Sequence, residues 1–144
     1  MDLYHPRVLE LAGEISRLGR LAAPMGSVTK VSRVCGSTVT VDLSLKDGKV
    51  ADLGMAVEAC ALGQAAAAIL AKHAIGATTE EIVAARDGLR SMIKQGARPP
   101  DGRFWELRHL EGVRDYPPRH TSTMLAFEAA VAAIEEAKQK QGAS

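Results

Sequence analysis

Two runs of strict alternation joined by a two-residue turn constrain this chain more than any other feature. Val39, Val41, Leu43 and Leu45 alternate with Thr40, Asp42, Ser44 and Lys46, and Leu53, Met55 and Val57 resume the alternation after Asp47-Gly48. A period of two sends successive side chains to opposite faces of an extended backbone, so each run reads as a strand with one buried face. Asp-Gly supplies the left-handed backbone of a tight turn, and the two runs therefore close as an antiparallel hairpin. Residues 28–34, with Val28, Thr29 and Val31, form a weaker strand before it. A three-stranded antiparallel sheet is expected.

Most of the remaining chain has helical spacing. In residues 6–18, Val8, Leu11, Ile15 and Leu18 recur at steps of three or four behind Pro6, a residue suited to a first helical position. Residues 21–26 carry a Pro and a Gly without any period and read as a loop. After Cys60 the run Ala61-Leu62-Gly63-Gln64-Ala65-Ala66-Ala67-Ala68-Ile69-Leu70 is rich in the best helix former, with small side chains that permit close packing. Gly76 ends this helix, and Thr78 with Glu81 three residues on makes a capping box for the next, whose Ile82, Ala85, Leu89 and Met92 form a stripe up to Gly96. Residues 98–102 read as a loop, residues 104–110 as a short helix, and Tyr116-Pro117-Pro118 as a break. A last helix over residues 121–140 is lined by Met124, Phe127, Val131 and Ile134. Strands gathered in one region with helices after them predict an α+β fold: a small three-stranded antiparallel sheet packed with helices on one side. At 144 residues, 47% hydrophobic and 24% charged, residues 1–144 are expected to form one domain around one core.

The same numbers exclude several classes of function. With 18 basic and 17 acidic side chains the formal net charge is +1, so no overall field exists to hold nucleic acid or an acidic membrane surface. Met1-Asp2-Leu3-Tyr4-His5-Pro6 has no basic stretch followed by an apolar one, and residues 59–70 are too short and too mild to cross a bilayer. A cytoplasmic address is expected. In that reducing setting Cys35 and Cys60 are thiols or metal ligands rather than a disulfide. Spacing alone favours the plainer role for each, a buried apolar filler. No nucleophile with its base and no phosphate-cradling glycine loop is present, so nothing reads as an enzyme. His5, His73 and His109 show no ligand spacing.

Three separated pieces carry a resemblance: Arg33-Val34-Cys35-Gly36-Ser37 leading into a strand, Glu58-Ala59-Cys60-Ala61-Leu62-Gly63-Gln64-Ala65 opening a helix, and Pro117-Pro118-Arg119-His120-Thr121-Ser122-Thr123-Met124-Leu125 opening the last helix. In this order and spacing the chain resembles the NifU/IscU-like iron-sulfur cluster assembly scaffolds over residues 5–138, nearly its whole length. The resemblance implies that Cys35 and Cys60 hold the cluster. The family pattern has an Asp after Cys-Gly where this chain has Ser37, and a third Cys where it has Ser122. Both changes remove an anionic donor, because a serine hydroxyl holds its proton far more tightly than a thiol does.

The implied metal set is therefore Cys35 and Cys60, with Ser37, His120 and Ser122 as the remaining donors. An iron-sulfur cluster, such as [2Fe-2S], is usually held by four soft donors, and zinc is the alternative metal. Two copies meeting at the end that carries Cys35 and Cys60 would present four thiolates, which makes a homodimer an expected state. Arg119 would stabilise negative charge there, whereas Ser122 and Thr123 also suit the capping of the last helix. A scaffold of this kind takes sulfur from a cysteine desulfurase and passes clusters to apo-protein clients, a binding role rather than an enzymatic one. Two other readings stay open: a SufE-like acceptor of persulfide sulfur, and a structural or regulatory relative without metal.

Overall fold

The computed structural model describes residues 6–33 and 36–142. Strands β1 (Gly26–Val31), β2 (Thr38–Lys46) and β3 (Lys49–Glu58) form one antiparallel sheet in the order β1-β2-β3. Helices α1 (Pro6–Gly13), α2 (Ala61–His73), α3 (Thr79–Gln95) and α4 (His120–Gly142) pack with it, together with 3-10 segments at Gly102–Asp115 and Pro117–Arg119. This is the expected α+β architecture. Among the described residues no helix is long and apolar enough to cross a membrane.

The hairpin turns at Asp47 and Gly48, both with positive φ (55° and 74°), as the twist of paired strands requires. Lys46 faces Lys49 across the turn, and the register runs to Thr38 facing Glu58 after a bulge beside Ser44 and Leu45. Val39, Val41, Leu43, Leu45, Leu53 and Met55 are buried. Helix α4 packs against β1 and β2. It lies close because Gly26 faces Leu43 and has no side chain: a Cβ there would overlap the carbonyl oxygen of Ala133 in α4.

The opposite face differs from the solvated surface that alternation predicts. Asp42 is 0% exposed, because residues 17–21 fold back across the sheet. The Met55 backbone bonds to the Arg17 carbonyl (2.9 Å) and the Gly19 N–H (2.8 Å) at the outer edge of β3. The strap then passes over Gly54, where a Cβ would strike the Gly19 carbonyl. Arg20 Nε (2.6 Å) and the Leu21 N–H (3.1 Å) donate to Oδ2 of Asp42, and Ser27 Oγ donates to its Oδ1 (2.5 Å). Burial alone would push the Asp42 carboxyl up, yet these three donors outweigh it and hold the group below the usual carboxylate range. The same strap explains why α1 stops at Gly13 rather than running to residue 18. Arg17 turns at φ 59°, and Leu18, expected on the apolar stripe, is 57% exposed.

Helix α2 buries side chains on nearly every side, including Leu62, Ala65, Ala66, Ile69 and Leu70, as befits a helix apolar all round. It sits between α1, α4 and the longer 3-10 segment. Helix α3 begins with the predicted capping box: the Thr78 hydroxyl accepts from Glu81 N (3.1 Å) and the Glu81 carboxylate accepts from Thr78 N (2.9 Å), a motif worth about 1 kcal/mol. Gly96 closes it in the left-handed conformation.

The helix expected over residues 104–110 is instead 3-10 in kind and longer, Gly102–Asp115, in two pieces joined by a kink at Phe104 (φ −102°, ψ 33°); Phe104, Leu107, Leu110 and Val113 are buried at steps of three. It carries Glu106, only 1% exposed. Lys72 Nζ (2.9 Å), His73 Nε2 (2.8 Å) and Arg7 Nη2 (3.3 Å) all reach this carboxylate. Burial would raise its pKa, but the Lys72 and His73 hydrogen bonds, followed by the Lys72 charge and Arg7, outweigh that and hold it down to about 2. One carboxylate thus ties α1, α2 and the 3-10 run together.

Candidate functional site

The strand register decides where the cysteine-bearing segments go. Thr38 opens β2 and faces Glu58, the last residue of β3. The chain entering β2 and the chain leaving β3 toward Cys60 are therefore neighbours at one end of the sheet. Cys35 and Val34 lie outside the described residues. Just after them, Gly36 (φ 71°) donates its N–H to the Ser32 carbonyl, and the Ser37 carbonyl accepts from Ser32 N, each at 2.8 Å. This turn from β1 into β2 leaves Ser37 buried, 3% exposed.

Cys60 is the residue immediately before α2, in an extended conformation (φ −68°, ψ 172°) with no side-chain capping bond. Its carbonyl accepts from Gln64 N at 2.9 Å, and Gln64 Nε2 donates to the Ala59 carbonyl at 2.8 Å. Both peptide groups that flank the thiol are thereby fixed. The half-buried Cys60 Sγ lies 3.9 Å from Oγ of Ser122 in the first turn of α4. Gly63 makes this approach feasible, since a Cβ there would stand 2.8 Å from Ala59 Cβ and 3.2 Å from the Ser122 carbonyl oxygen.

Ser122 is fully buried. Its hydroxyl donates to the Arg119 carbonyl at 3.2 Å, and the Thr123 hydroxyl donates to the same oxygen at 2.8 Å. The two residues expected to cap α4 thus bond back to a preceding carbonyl from inside the helix, a habit of serine and threonine in helices. Nε2 of His120 faces two carbonyl oxygens, those of Val113 (3.0 Å) and Arg114 (3.3 Å). A nitrogen that donates to carbonyls has no lone pair for a metal, so Nδ1 is the only ring atom left for that purpose.

Of the donors named from sequence, the fold unites Cys60 with Ser122, sets Ser37 beside the same end of the sheet, and commits one nitrogen of His120 elsewhere. Among the described residues no three His, Cys, Asp or Glu side chains converge as a metal site. Gly63 and Gln64 position the thiol and were not singled out by spacing. The available signal was a glycine inside an alanine-rich helix, which costs helix stability unless a close neighbour requires it.

No family model matches the chain. Among curated proteins it is similar to two iron-sulfur cluster assembly scaffold proteins named IscU. One, from Thermotoga maritima, is 26% identical over 127 residues, 87% of each chain; the other, from Streptococcus pyogenes, is 25% identical over 107 residues, 74% of this chain and 67% of that one. Among solved structures, a SufU scaffold described as putative, from Fervidobacterium islandicum, shares the fold with a TM-score of 0.84 at 18% identity, over 92% of this chain and 96% of that one. The crystal structure of a nitrogen-fixing NifU-like protein (N-terminal) from Brucella abortus superposes with a TM-score of 0.94 at 46% identity, over 96% of each chain. At that identity and coverage, the present chain belongs to the NifU/IscU-like family.

Proposed function

We propose that this chain is an iron-sulfur cluster assembly scaffold: it accepts iron and sulfur, holds a labile cluster, and passes it to apo-proteins. The observation that carries this reading is the approach of Cys60 Sγ to Ser122 Oγ, 3.9 Å apart across 62 positions of sequence. It occurs at the sheet end where the chain leading out of Cys35 also enters β2. The names of the two curated relatives support the same role.

Cys35 and Cys60 are the thiolates offered to iron, and Arg119 is the cation of the third motif. His120 Nδ1 and the hydroxyl of Ser37 are weaker candidates. Two soft donors per chain leave a four-thiolate cluster half held, so a pair of chains sharing one cluster, such as [2Fe-2S], is the loaded state. A cysteine desulfurase is the sulfur donor, and zinc is the metal that would occupy the thiolates in the absence of iron. The role is binding and transfer, with no turnover of the chain's own.

Anaerobic reconstitution with iron and sulfide tests the reading. The wild-type protein is expected to turn brown and to run as a dimer on sizing, and both Cys35→Ala and Cys60→Ala are expected to stay colourless while keeping wild-type circular dichroism. A colourless wild-type protein would overturn the scaffold role, and a brown monomer would overturn the shared cluster.

A further inference from the structure

Ser122 stands where the third cysteine of the resembled scaffolds falls, and its surroundings are those of a donor rather than a ligand. Its hydroxyl bonds to the Arg119 carbonyl at 3.2 Å, while its oxygen lies 3.9 Å from the Cys60 sulfur. The Arg119 carbonyl is also served by the Thr123 hydroxyl, at the shorter distance of 2.8 Å. Ser122 is 0% exposed, so bulk water cannot stand in for either neighbour.

These contacts form a short chain whose direction depends on what Cys60 carries. A free thiol gives its weak S–H to Ser122 Oγ, and Ser122 gives its O–H to the Arg119 carbonyl. With iron or a second sulfur on Cys60, that sulfur has no proton to give and becomes an acceptor. The Ser122 hydroxyl can then turn about its side-chain bond toward the sulfur, because Thr123 keeps the Arg119 carbonyl paired. No buried polar atom is stranded in either arrangement, which is the condition for such a switch in a dry site. Ligation by Ser122 as an anion would instead require removal of its hydroxyl proton, and neither the Arg119 carbonyl nor a metal-bound Cys60 sulfur is basic enough to take it.

On the scaffold reading, we propose that Ser122 is a hydrogen-bond donor to the sulfur of the loaded Cys60, positioning and tuning the bound cargo, and is not a third ligand on the iron. Hydrogen bonds to cluster sulfurs raise the reduction potential by stabilising the more negative reduced form. The role is therefore visible in a quantity that merely structural damage would not shift in a defined direction.

The test compares wild-type and Ser122→Ala proteins after anaerobic reconstitution, alongside a crystal structure of the wild-type protein loaded with Cd²⁺, which binds thiolates without sulfide. The variant is expected to hold the same iron and sulfide per chain with its midpoint potential moved to the negative side. The cadmium complex is expected to show Oγ of Ser122 turned from Arg119 to the Cys60 sulfur and outside the metal's coordination shell. A folded variant that loses its iron would make Ser122 a ligand and overturn the proposal, as would an unchanged midpoint potential. If the wild type takes up no cluster, the scaffold reading falls on its own and the cadmium structure still decides. Oγ on the sulfur upholds the donor role; Oγ on the metal, Oγ still on Arg119, or no cadmium at Cys60 overturns it. The cadmium structure likewise decides if Ser122→Ala does not fold.

Discussion

Replacing Glu106 by Gln should reveal how much one buried carboxylate holds together. The side chain is 1% exposed and receives Lys72, His73 and Arg7 from two helices. Its pKa lies at about 2, against an ordinary 4.5. At about 1.4 kcal/mol for each tenfold change, that gap corresponds to about 3 kcal/mol of folding stability. Because the folded value is the lower one, the contribution is complete above the unfolded value and disappears as the pH falls from about 4.5 toward 2. Glu106→Gln removes the charge at every pH while keeping the shape. Near neutrality it should lower the unfolding free energy by about 3 kcal/mol, or the melting temperature by roughly 10 °C for a chain of this size. Urea titrations at pH 7, 5, 4 and 3 should show the gap between variant and wild type closing over the last steps. A gap of equal size at pH 3 and pH 7 would refute the electrostatic account and leave packing as the cause. No gap at either pH would show that Lys72, His73 and Arg7 contribute nothing net.

Two further substitutions probe close approaches. Gly63→Ala gains about 1 kcal/mol of helix propensity but places a Cβ 2.8 Å from Ala59 Cβ and 3.2 Å from the Ser122 carbonyl, an overlap costing about 1–3 kcal/mol. Thermal unfolding should register a small net loss, and alkylation of Cys60 by iodoacetamide should speed up as α2 and α4 separate; a stabilised variant with unchanged alkylation would contradict the packing described. Gly26→Ala meets the Ala133 backbone, which cannot rotate away, so about 3 kcal/mol or more should be lost in urea titration. Wild-type stability in that variant would mean that α4 does not rest on β1.

The sheet was legible because its information is local. Alternation set the buried face, Asp47-Gly48 set the turn, and Thr78 with Glu81 marked the start of α3, each within a few residues of the element it specifies. What could not be read depends on distant partners. Asp42 sits at a position that alternation assigns to solvent, and only Arg20 and Leu21 folding back from another segment explain its burial. Leu18 fits the helical stripe of α1 but is pulled off it by the same strap. The 3-10 segment did leave a local trace, since Phe104, Leu107, Leu110 and Val113 recur at a strict three, the period of a 3-10 turn rather than the roughly 3.6 of an α-helix. At the site, the motifs around Cys60 and Ser122 are visible in the sequence, whereas the positioning role of Gly63 is not. Nor is the sharing of the Arg119 carbonyl by two hydroxyls, because it depends on the rotamers of neighbouring side chains.

Helix α4 touches β1, β2, α2 and α3, all of which precede it in the chain. During synthesis, every one of those elements must wait with an apolar face uncovered until the stretch from residue 120 onward has left the ribosome. The same late stretch brings Ser122 to Cys60, so a growing polypeptide has the thiol long before it has the hydroxyl that stands beside it. The pairing of sulfur with hydroxyl therefore waits on the docking of this helix, and any event that peels α4 away would undo it.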